Sequence, residues 1–243
     1  MDRKKYQRDY YANSWIHSKH RDTQYNPDIG KFILNLVIPD SLVCDIGIGD
    51  GLPIAQILLE SGMNVYGVDV SPKLIDICKN NFPQIDCKTG NAEKIPYGND
   101  MFHLTYCVNT IWYVPNTMKA INELIRVTKP GGMIVFDIMN QYHVKISKLH
   151  RRLIFENTTM LGKGQKIIKN IVKKVLFPKY GSPNWHYVVD QTPLYPDLIC
   201  KMFPRDIRLF TYNNSFIEIN EKEPENYKFE KYSRIIFLIE NNK

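Results

Sequence analysis

The amino-acid sequence predicts an α/β fold built on a doubly wound, mostly parallel sheet, and two observations carry that prediction. Short apolar segments alternate with amphipathic ones between residues 42 and 139, which is the pattern of strands connected by helices. Within this region an apolar run ends in Asp45 and is followed by glycines at alternate positions, Gly47, Gly49 and Gly51. This order predicts a strand, a tight turn and a helix. Ligands of such sheets bind beyond the carboxyl ends of the strands, where we expect the functional site.

The individual elements follow from periodicity and from turn residues. Strands are predicted at residues 43–45, 64–69, 84–88, 100–108, 133–138, 208–212 and 233–240. Helices are predicted at residues 28–37, 52–60, from 72 onwards, 116–128, 166–176 and 196–203. Ser61-Gly62 stops one helix, Ser71-Pro72 begins the next, and the turn at 129–132 contains a proline and two glycines. Residues 218–230 are acidic and receive no assignment.

Composition limits the class of protein. The chain has 243 residues, 44% of them hydrophobic, which suffices for one core. No run approaches the roughly 18 apolar residues that cross a bilayer, and the opening MDRKKYQRDYY lacks the apolar segment of a signal peptide. The five cysteines contain no C-x-x-C pair, so we expect reduced thiols in a cytoplasmic protein without a zinc site.

The positive charge is concentrated in one stretch. Between Lys145 and Lys179 there are ten Lys or Arg and one acid, Glu156, so this stretch carries +9 and the remainder of the +7 chain sums to −2. Within it, residues 166–176 form a basic amphipathic pattern. Three interpretations stay open: a lid packed on the core with solvated lysines, a binding feature for an acidic acceptor, and a helix that contacts a membrane surface.

The glycine spacing indicates the charge of the ligand. Dinucleotide-binding loops are spaced G-x-G-x-x-G, whereas this loop is G-x-G-x-G and follows an acid. A carboxylate beside the loop disfavours a pyrophosphate and favours a cationic ligand. Asp69 ends the second predicted strand, 18 residues after Gly51, close to where nucleotide-binding units place a carboxylate on ribose hydroxyls.

Four blocks of the sequence resemble the class I S-adenosylmethionine (SAM)-dependent methyltransferases of the methyltransferase-11 type. The stretch 43–51 resembles their motif I, acid-x-Gly-x-Gly-x-Gly. The other blocks similar to the family are VYGVDVSPKLIDIC (65–78), TGNAEKIP (89–96) and ELIRVTKPGGMIVFD (123–137). The resemblance implies a Rossmann-like sheet of seven strands in the order 3-2-1-4-5-7-6, with the final strand antiparallel, and SAM as the cofactor.

The same resemblance implies the residues that bind the cofactor. Asn91 stands where the family has an acid that meets the adenine amine, and its side-chain oxygen can still accept that hydrogen bond. Tyr11 belongs to an aromatic segment that would fold over the cofactor as a lid or pack as a staple on the sheet edge. The expected cofactor-binding residues are Tyr11, Asp45, Gly47, Gly49, Gly51, Asp69, Val70, Asn91, Ala92 and Asn109.

Candidates for catalysis are histidines, because neutral imidazole can remove a proton from an acceptor near neutral pH. His186 lies in the variable carboxyl-terminal region and is the first candidate; His143 follows the fifth predicted strand and is the second. For each, a structural histidine is the alternative. Asp137 and Asn140 resemble a magnesium-binding pair of catechol-type methyltransferases, but the partner acid is replaced by Asn109, so we expect no metal.

These patterns predict one methyltransferase domain over residues 1–243. It divides into an amino-terminal helical lid (1–41), a SAM-binding core (42–139), an acceptor-side insertion with the basic helix (140–205) and the final strands (206–243). The predicted reaction transfers a methyl group to an oxygen atom of a small-molecule or glycan acceptor. An acidic acceptor and a lipid-linked acceptor are two alternatives that stay open. The expected location is the cytoplasm, with peripheral membrane contact through 166–176 as an alternative.

Three other functions were weighed against this one. A nicotinamide oxidoreductase calls for the G-x-G-x-x-G spacing that is absent. A nucleic-acid methyltransferase is disfavoured because Val108-Asn109-Thr110-Ile111-Trp112 stands where base-amine enzymes have N-P-P-[YF]. A catalytically silent SAM-binding partner subunit would keep Asp45 and Asp69 and stays open.

Overall fold

The computed structural model describes residues 25–143, 145–146, 159–161, 164–165, 194–203, 207–219 and 229–243. The strands are β1 (Leu42–Ile46), β2 (Asn64–Asp69), β3 (Asp86–Thr89), β4 (Phe102–Cys107), β5 (Thr128–Met139), β6 (Ile207–Tyr212), β7 (Phe216–Glu218) and β8 (Arg234–Glu240). The helices are α1 (Tyr25–Leu34), α2 (Ile54–Glu60), α3 (Pro72–Asn81), α4 (Thr117–Val127) and α5 (Pro196–Met202). Among these residues no helix has both the length and the apolar character needed to span a bilayer.

All eight strands form one sheet in the order β3-β2-β1-β4-β5-β8-β6-β7. The first five are parallel, as strands joined by crossover helices must be. β8 runs antiparallel to β5 in a register from Met133↔Glu240 to Met139↔Arg234. The amino end of β8 therefore reaches the same edge of the sheet as the carboxyl ends of the parallel strands.

The sheet separates two apolar layers, because successive side chains of a strand point to opposite faces. Val43 packs in the layer that contains α1, α2 and α3, and Cys44 packs in the layer that contains α4 and α5. The second layer includes the stacked rings of Phe136 on β5 and Phe237 on β8, 5.1 Å apart. Helices on both faces confirm the predicted doubly wound α/β class.

The described residues form eight strands, one more than the seven that the sequence predicts. The additional strand is β7, which pairs with β6 as a hairpin through a turn in which Asn214 has a φ of 58°. It is three residues long, too short for alternation to reveal it. The other seven strands have the predicted order, and the final strand is antiparallel as expected.

One predicted turn is part of a strand. β5 begins at Thr128 and runs through the Lys-Pro-Gly-Gly segment, where the Gly131 N–H donates to Asn241 O (2.8 Å) and the Asn241 N–H donates to Gly132 O (2.8 Å). Pairing with the end of the chain, which local turn chemistry does not report, extends the strand. The predicted basic helix at 166–176 and most of the predicted lid lie outside the described residues.

Candidate active site

A cleft opens at the carboxyl ends of β1, β2 and β4. Nine of the ten predicted cofactor residues line it: Asp45, Gly47, Gly49, Gly51, Asp69, Val70, Asn91, Ala92 and Asn109. The tenth, Tyr11, lies outside the described residues. Further residues complete the wall of the cleft, among them Asn26 at the start of α1, Leu74, Thr110 and Tyr113.

The glycine loop is held against β2 by its own backbone. The N–H groups of Gly47 and Ile48 both donate to Val68 O, at 2.7 and 3.1 Å. Gly47 has a φ of 98° and Gly51 a φ of 87°, which side chains rarely adopt. A Cβ on Gly51 would lie 2.8 Å from the Phe82 ring. The loop is thus free of side chains at the positions where it bends.

Asp45 places a buried carboxyl group at the cleft, with no cation beside it among the described residues. It is 6% exposed, and burial raises the pKa of its carboxyl group to about 8, with Asp69 adding to the rise and Tyr106 opposing it. No Lys or Arg within the described part of the chain forms an ion pair with it. A buried carboxylate is costly unless it is paired, so a cationic ligand would relieve this site.

Asp69 is fixed in position by two backbone groups. Its Oδ2 accepts from the Gly49 N–H (3.0 Å) and its Oδ1 from the Ser71 N–H (2.8 Å). Burial raises its pKa to about 6, and these hydrogen bonds oppose the rise. Each carboxylate oxygen has a further lone pair, so Asp69 can accept hydrogen bonds from two ligand hydroxyls.

The loop that contains Asn91 and follows β3 is fixed by side chains of the ELIRV segment (123–127). Glu123 and Arg126 form a two-pronged ion pair (2.8 Å for Nε and 2.8 Å for Nη2). Glu123 accepts from the Ile95 N–H (2.7 Å), and Arg126 donates to the carbonyls of Ile95 (2.9 Å) and Tyr97 (3.0 Å). The block holds the loop that follows β3 in one conformation.

Asp137 is a second buried carboxylate, which lies behind the cleft residue Asn109, and the protein neutralises it. It is fully buried, accepts from Tyr25 Oη (2.9 Å) and from the Asn109 N–H (2.8 Å), and pairs with Arg234 (3.2 Å). Burial raises its pKa, while the Arg234 charge opposes that rise. The Arg234 guanidinium also lies 4.3 Å from the centre of the Tyr25 ring.

The same network orients two amides along the cleft wall. Arg234 donates to Asn109 Oδ1 (2.8 Å), and because arginine only donates, this oxygen must face it. Asn109 Nδ2 then donates to Asn26 Oδ1 (2.9 Å). Asn26 Nδ2 remains as a donor on the wall, with no protein acceptor in the described ranges. Asn109 has a φ of 55°, a conformation that asparagine tolerates better than most residues.

The predicted histidines are not among the described residues that line the cleft. His143 is half-buried in the turn after β5, where its backbone N–H donates to Asn140 O (3.2 Å). His186 lies outside the described residues. Asn140 donates to Phe229 O and Tyr232 O (2.6 and 2.7 Å), so it and Asp137 are both engaged in protein contacts. The described residues bring together no group of three or more metal-ligating side chains.

The sequence interpretation missed Tyr25, Asn26 and Arg234. Arg234 opens the last predicted strand, and an antiparallel final strand brings its first residue to the ligand edge, so a signal for it was present. Tyr25 and Asn26 precede the predicted start of α1, which the structure begins three residues earlier, at Tyr25. Apolar periodicity could not find them, because they mark the helix end that faces the cleft.

The fold and this cleft define an α/β protein with a ligand-sized cleft at the carboxyl ends of its parallel strands, and comparison with known proteins narrows the class. Residues 44–136 match the family model described as "Methyltransferase domain". These residues form a class I SAM-dependent methyltransferase domain, whose cofactor is SAM.

Curated relatives agree over parts of the chain. A Coxiella burnetii ubiquinone biosynthesis O-methyltransferase is 31% identical over 103 residues, covering 41% of this chain and 44% of that protein. The Caenorhabditis elegans sterol 4-C-methyltransferase is 26% identical over 187 residues, covering 68% and 55%. A methyltransferase-like protein of Schizosaccharomyces pombe is 29% identical over 99 residues, covering 41% and 38%. The chain thus spans about half or less of the length of these relatives.

Solved structures share the fold over nearly the whole chain. A SAM-dependent methyltransferase of Thermotoga maritima superposes with a TM-score of 0.53 at 13% identity, covering 98% of this chain and 94% of that one. A chain from the complex that contains the Trm112 methyltransferase activator of Haloferax volcanii gives 0.58 at 11% identity, covering 96% and 98%. At identities this low, the superpositions establish a common fold alone.

Proposed function

We propose that this protein transfers a methyl group from SAM to an oxygen atom of a small-molecule acceptor. The observation that carries the proposal is the buried Asp45, which lies beside a glycine loop and has no cation of its own among the described residues. SAM brings an α-ammonium and a sulfonium and no phosphate. Its positive charge would lower the pKa of Asp45 and stabilise the ionised carboxylate.

The order of polar groups along the sheet edge fits the parts of SAM. Asp45, Asp69 and Asn91 belong to β1, to β2 and to the loop after β3, and neighbouring strands lie about 4.8 Å apart. A ligand with its charged amino-acid portion near Asp45 and its ribose hydroxyls on Asp69 would bring its base towards Asn91. Leu74 and Ala92 offer apolar surface there.

The acceptor would enter on the opposite side of the loop, near Asn26, Asn109 and Tyr113. The sulfonium already activates the methyl group, so the protein has to align the acceptor and remove its proton. Asn26 Nδ2 can donate to an acceptor oxygen or to the cofactor carboxylate. His186 and His143 stay predictions for the base, and residues 140–205 for the acceptor side.

The names of two relatives support a small-molecule acceptor. The ubiquinone biosynthesis enzyme is an O-methyltransferase, and the sterol enzyme is a C-methyltransferase. We favour oxygen because a hydroxyl needs only a base, whereas a carbon acceptor must first become nucleophilic. The charge of +9 between Lys145 and Lys179 suits an acidic acceptor, glycans included, or one carried at an anionic membrane surface.

Calorimetry with S-adenosylhomocysteine tests the cofactor half of the proposal. Asp69→Ala should weaken binding about tenfold or more, because a charged acceptor of two hydroxyl protons is lost. Asp76→Ala, which removes an exposed acid from α3, is the matched control and should leave affinity unchanged. Equal affinity of the Asp69 variant and the native protein would contradict the proposal.

Carbon-13 NMR tests the acceptor half. The protein is incubated with SAM labelled at its methyl group and a panel of phenols, sterols and sugar phosphates. The chemical shift of the transferred methyl group distinguishes oxygen from carbon. We expect an O-methyl product; a C-methyl product would overturn the choice of oxygen, and binding without transfer to any compound would favour a silent SAM-binding subunit.

A further inference from the structure

Asn91 has an amide whose orientation is fixed by the protein. Its Oδ1 accepts a hydrogen bond from the Glu93 N–H at 2.9 Å. Only the oxygen of an asparagine side chain can accept, so Nδ2 must occupy the other side. Among the described residues Nδ2 has no hydrogen-bond partner, and Asn91 lines the cleft.

The loop around Asn91 resists a flip of this amide. Lys94 donates its N–H to Asn91 O (2.9 Å), and Glu93 Oε1 accepts from the Asn116 N–H at the start of α4 (3.0 Å). Glu123, which also belongs to α4, accepts a hydrogen bond from the Ile95 N–H (2.7 Å). A flipped amide would direct its NH₂ group at the Glu93 N–H and leave both donors unsatisfied.

We propose that Asn91 presents a hydrogen-bond donor to the base of the cofactor, so that its side chain does not bind the exocyclic amine of adenine. This inference rests on the proposed function, which brings the base towards Asn91. The amine at position 6 is itself a donor and gains nothing from Nδ2, whereas ring nitrogens such as N1 are acceptors that Nδ2 can reach.

A carboxylate at position 91 would behave differently. One of its oxygens would accept from the Glu93 N–H, as Oδ1 does now, and the second would accept from the purine amine. The single replacement of oxygen by NH₂ therefore changes which edge of the base contributes to affinity. Asn91 is a specificity-determining residue, and its effect is a loss of selection at position 6 of the purine.

The test compares S-adenosylhomocysteine with its 6-deamino analogue, in which hydrogen replaces the amine. For the native protein we expect the two dissociation constants to agree within about fivefold, because no protein acceptor is lost. For Asn91→Asp we expect the deamino analogue to bind more than about fivefold more weakly than the parent compound, since a charged acceptor loses its donor. Asn242→Asp adds the same charge at an exposed site far from the Asn91 loop and should behave as the native protein.

The outcomes separate this inference from the proposed function. A native protein that binds the parent compound and discriminates against the deamino analogue by more than fivefold overturns the inference and leaves SAM binding intact. An Asn91→Asp variant with the same ratio as the native protein also overturns it. Absence of binding to both compounds would remove the cleft as a SAM site, and the inference with it. If Asn91→Asp does not fold, the native ratio alone decides.

Discussion

Asp45 and Asp137 occupy similar positions in the sheet and have opposite surroundings. Each is buried near the carboxyl end of a parallel strand, Asp45 on β1 and Asp137 on β5. Asp137 receives an ion pair from Arg234 and hydrogen bonds from Tyr25 and the Asn109 N–H. Asp45 has no ion pair within the described chain, and the pKa of its carboxyl group is raised to about 8.

The difference teaches how one edge of a sheet can combine stability with binding. The charge of Asp137 is compensated inside the protein, and it ties α1, β4 and β8 together. Asp45 has no compensating cation among the described residues, so ionisation of its carboxyl group becomes favourable near neutral pH only when a cationic ligand binds. Asp137 therefore stabilises the fold, whereas Asp45 is the carboxyl group that would attract a cationic ligand in our proposed function.

Removal of the Arg234 charge should have the largest effect. Arg234→Met leaves Asp137 buried without its cation, and we expect the free energy of unfolding to fall by about 3 kcal/mol or more. Denaturant titration measures it. The double variant Arg234→Met/Asp137→Asn should recover part of the loss, because no buried charge is left unpaired. A single variant within about 1 kcal/mol of the native protein would show that the pair contributes little.

Neutralisation of Asp45 should have the opposite sign. The pKa of Asp45 is raised from 3.8 to about 8 on folding, so its cost grows as pH rises from about 4 and is complete above about 8. We expect Asp45→Asn to raise the Tm of the ligand-free protein by about 3–6 °C at alkaline pH and to have little effect near pH 4. SAM affinity should fall. Thermal melts of Asp45→Asn and Asp137→Asn at both pH values test this; equal responses of the two variants would erase the distinction.

A smaller effect is expected on cofactor affinity as pH changes. If SAM binds the ionised form of Asp45, as we propose, its affinity should rise with pH below about 8, by at most about tenfold per pH unit for this group. Asp69, with a pKa raised to about 6, adds to the slope at the acidic end. Calorimetry between about pH 5.5 and 7 keeps the cofactor's amino group in its ammonium form. Asp45→Asn should have a shallower profile, and a flat profile in the native protein would contradict the assignment.

Much of the parallel half of the fold could be predicted, because its signals are local. The glycine loop, Asp69 at the end of β2 and the Ser71 cap of α3 each follow from a few consecutive residues, and the structure has β1, β2 and α3 at these positions. The nine cleft residues come together for the same reason: parallel strands bring their carboxyl ends to one edge.

The remaining features depend on contacts between residues distant in sequence. Arg234 reaches Asp137 across 97 positions of the chain only because β8 pairs with β5. β7 forms where β6 offers a free edge, and β5 lengthens where Asn241 meets Gly131 and Gly132. The amide orientation of Asn91 depends on a backbone N–H two residues away, which residue identity does not report.

The pairing of β8 with β5 has a consequence for anyone who prepares shortened forms of this protein. The match to the methyltransferase family ends at residue 136, yet β5 is paired with β8 from Met133 to Met139. An expression clone trimmed to the matched segment would carry a long hydrophobic strand with one side unpaired, a template for association with other chains. Boundaries drawn from sequence similarity would thus expose an unpaired strand edge, and a clone that keeps β5 paired has to retain the chain through Asn241.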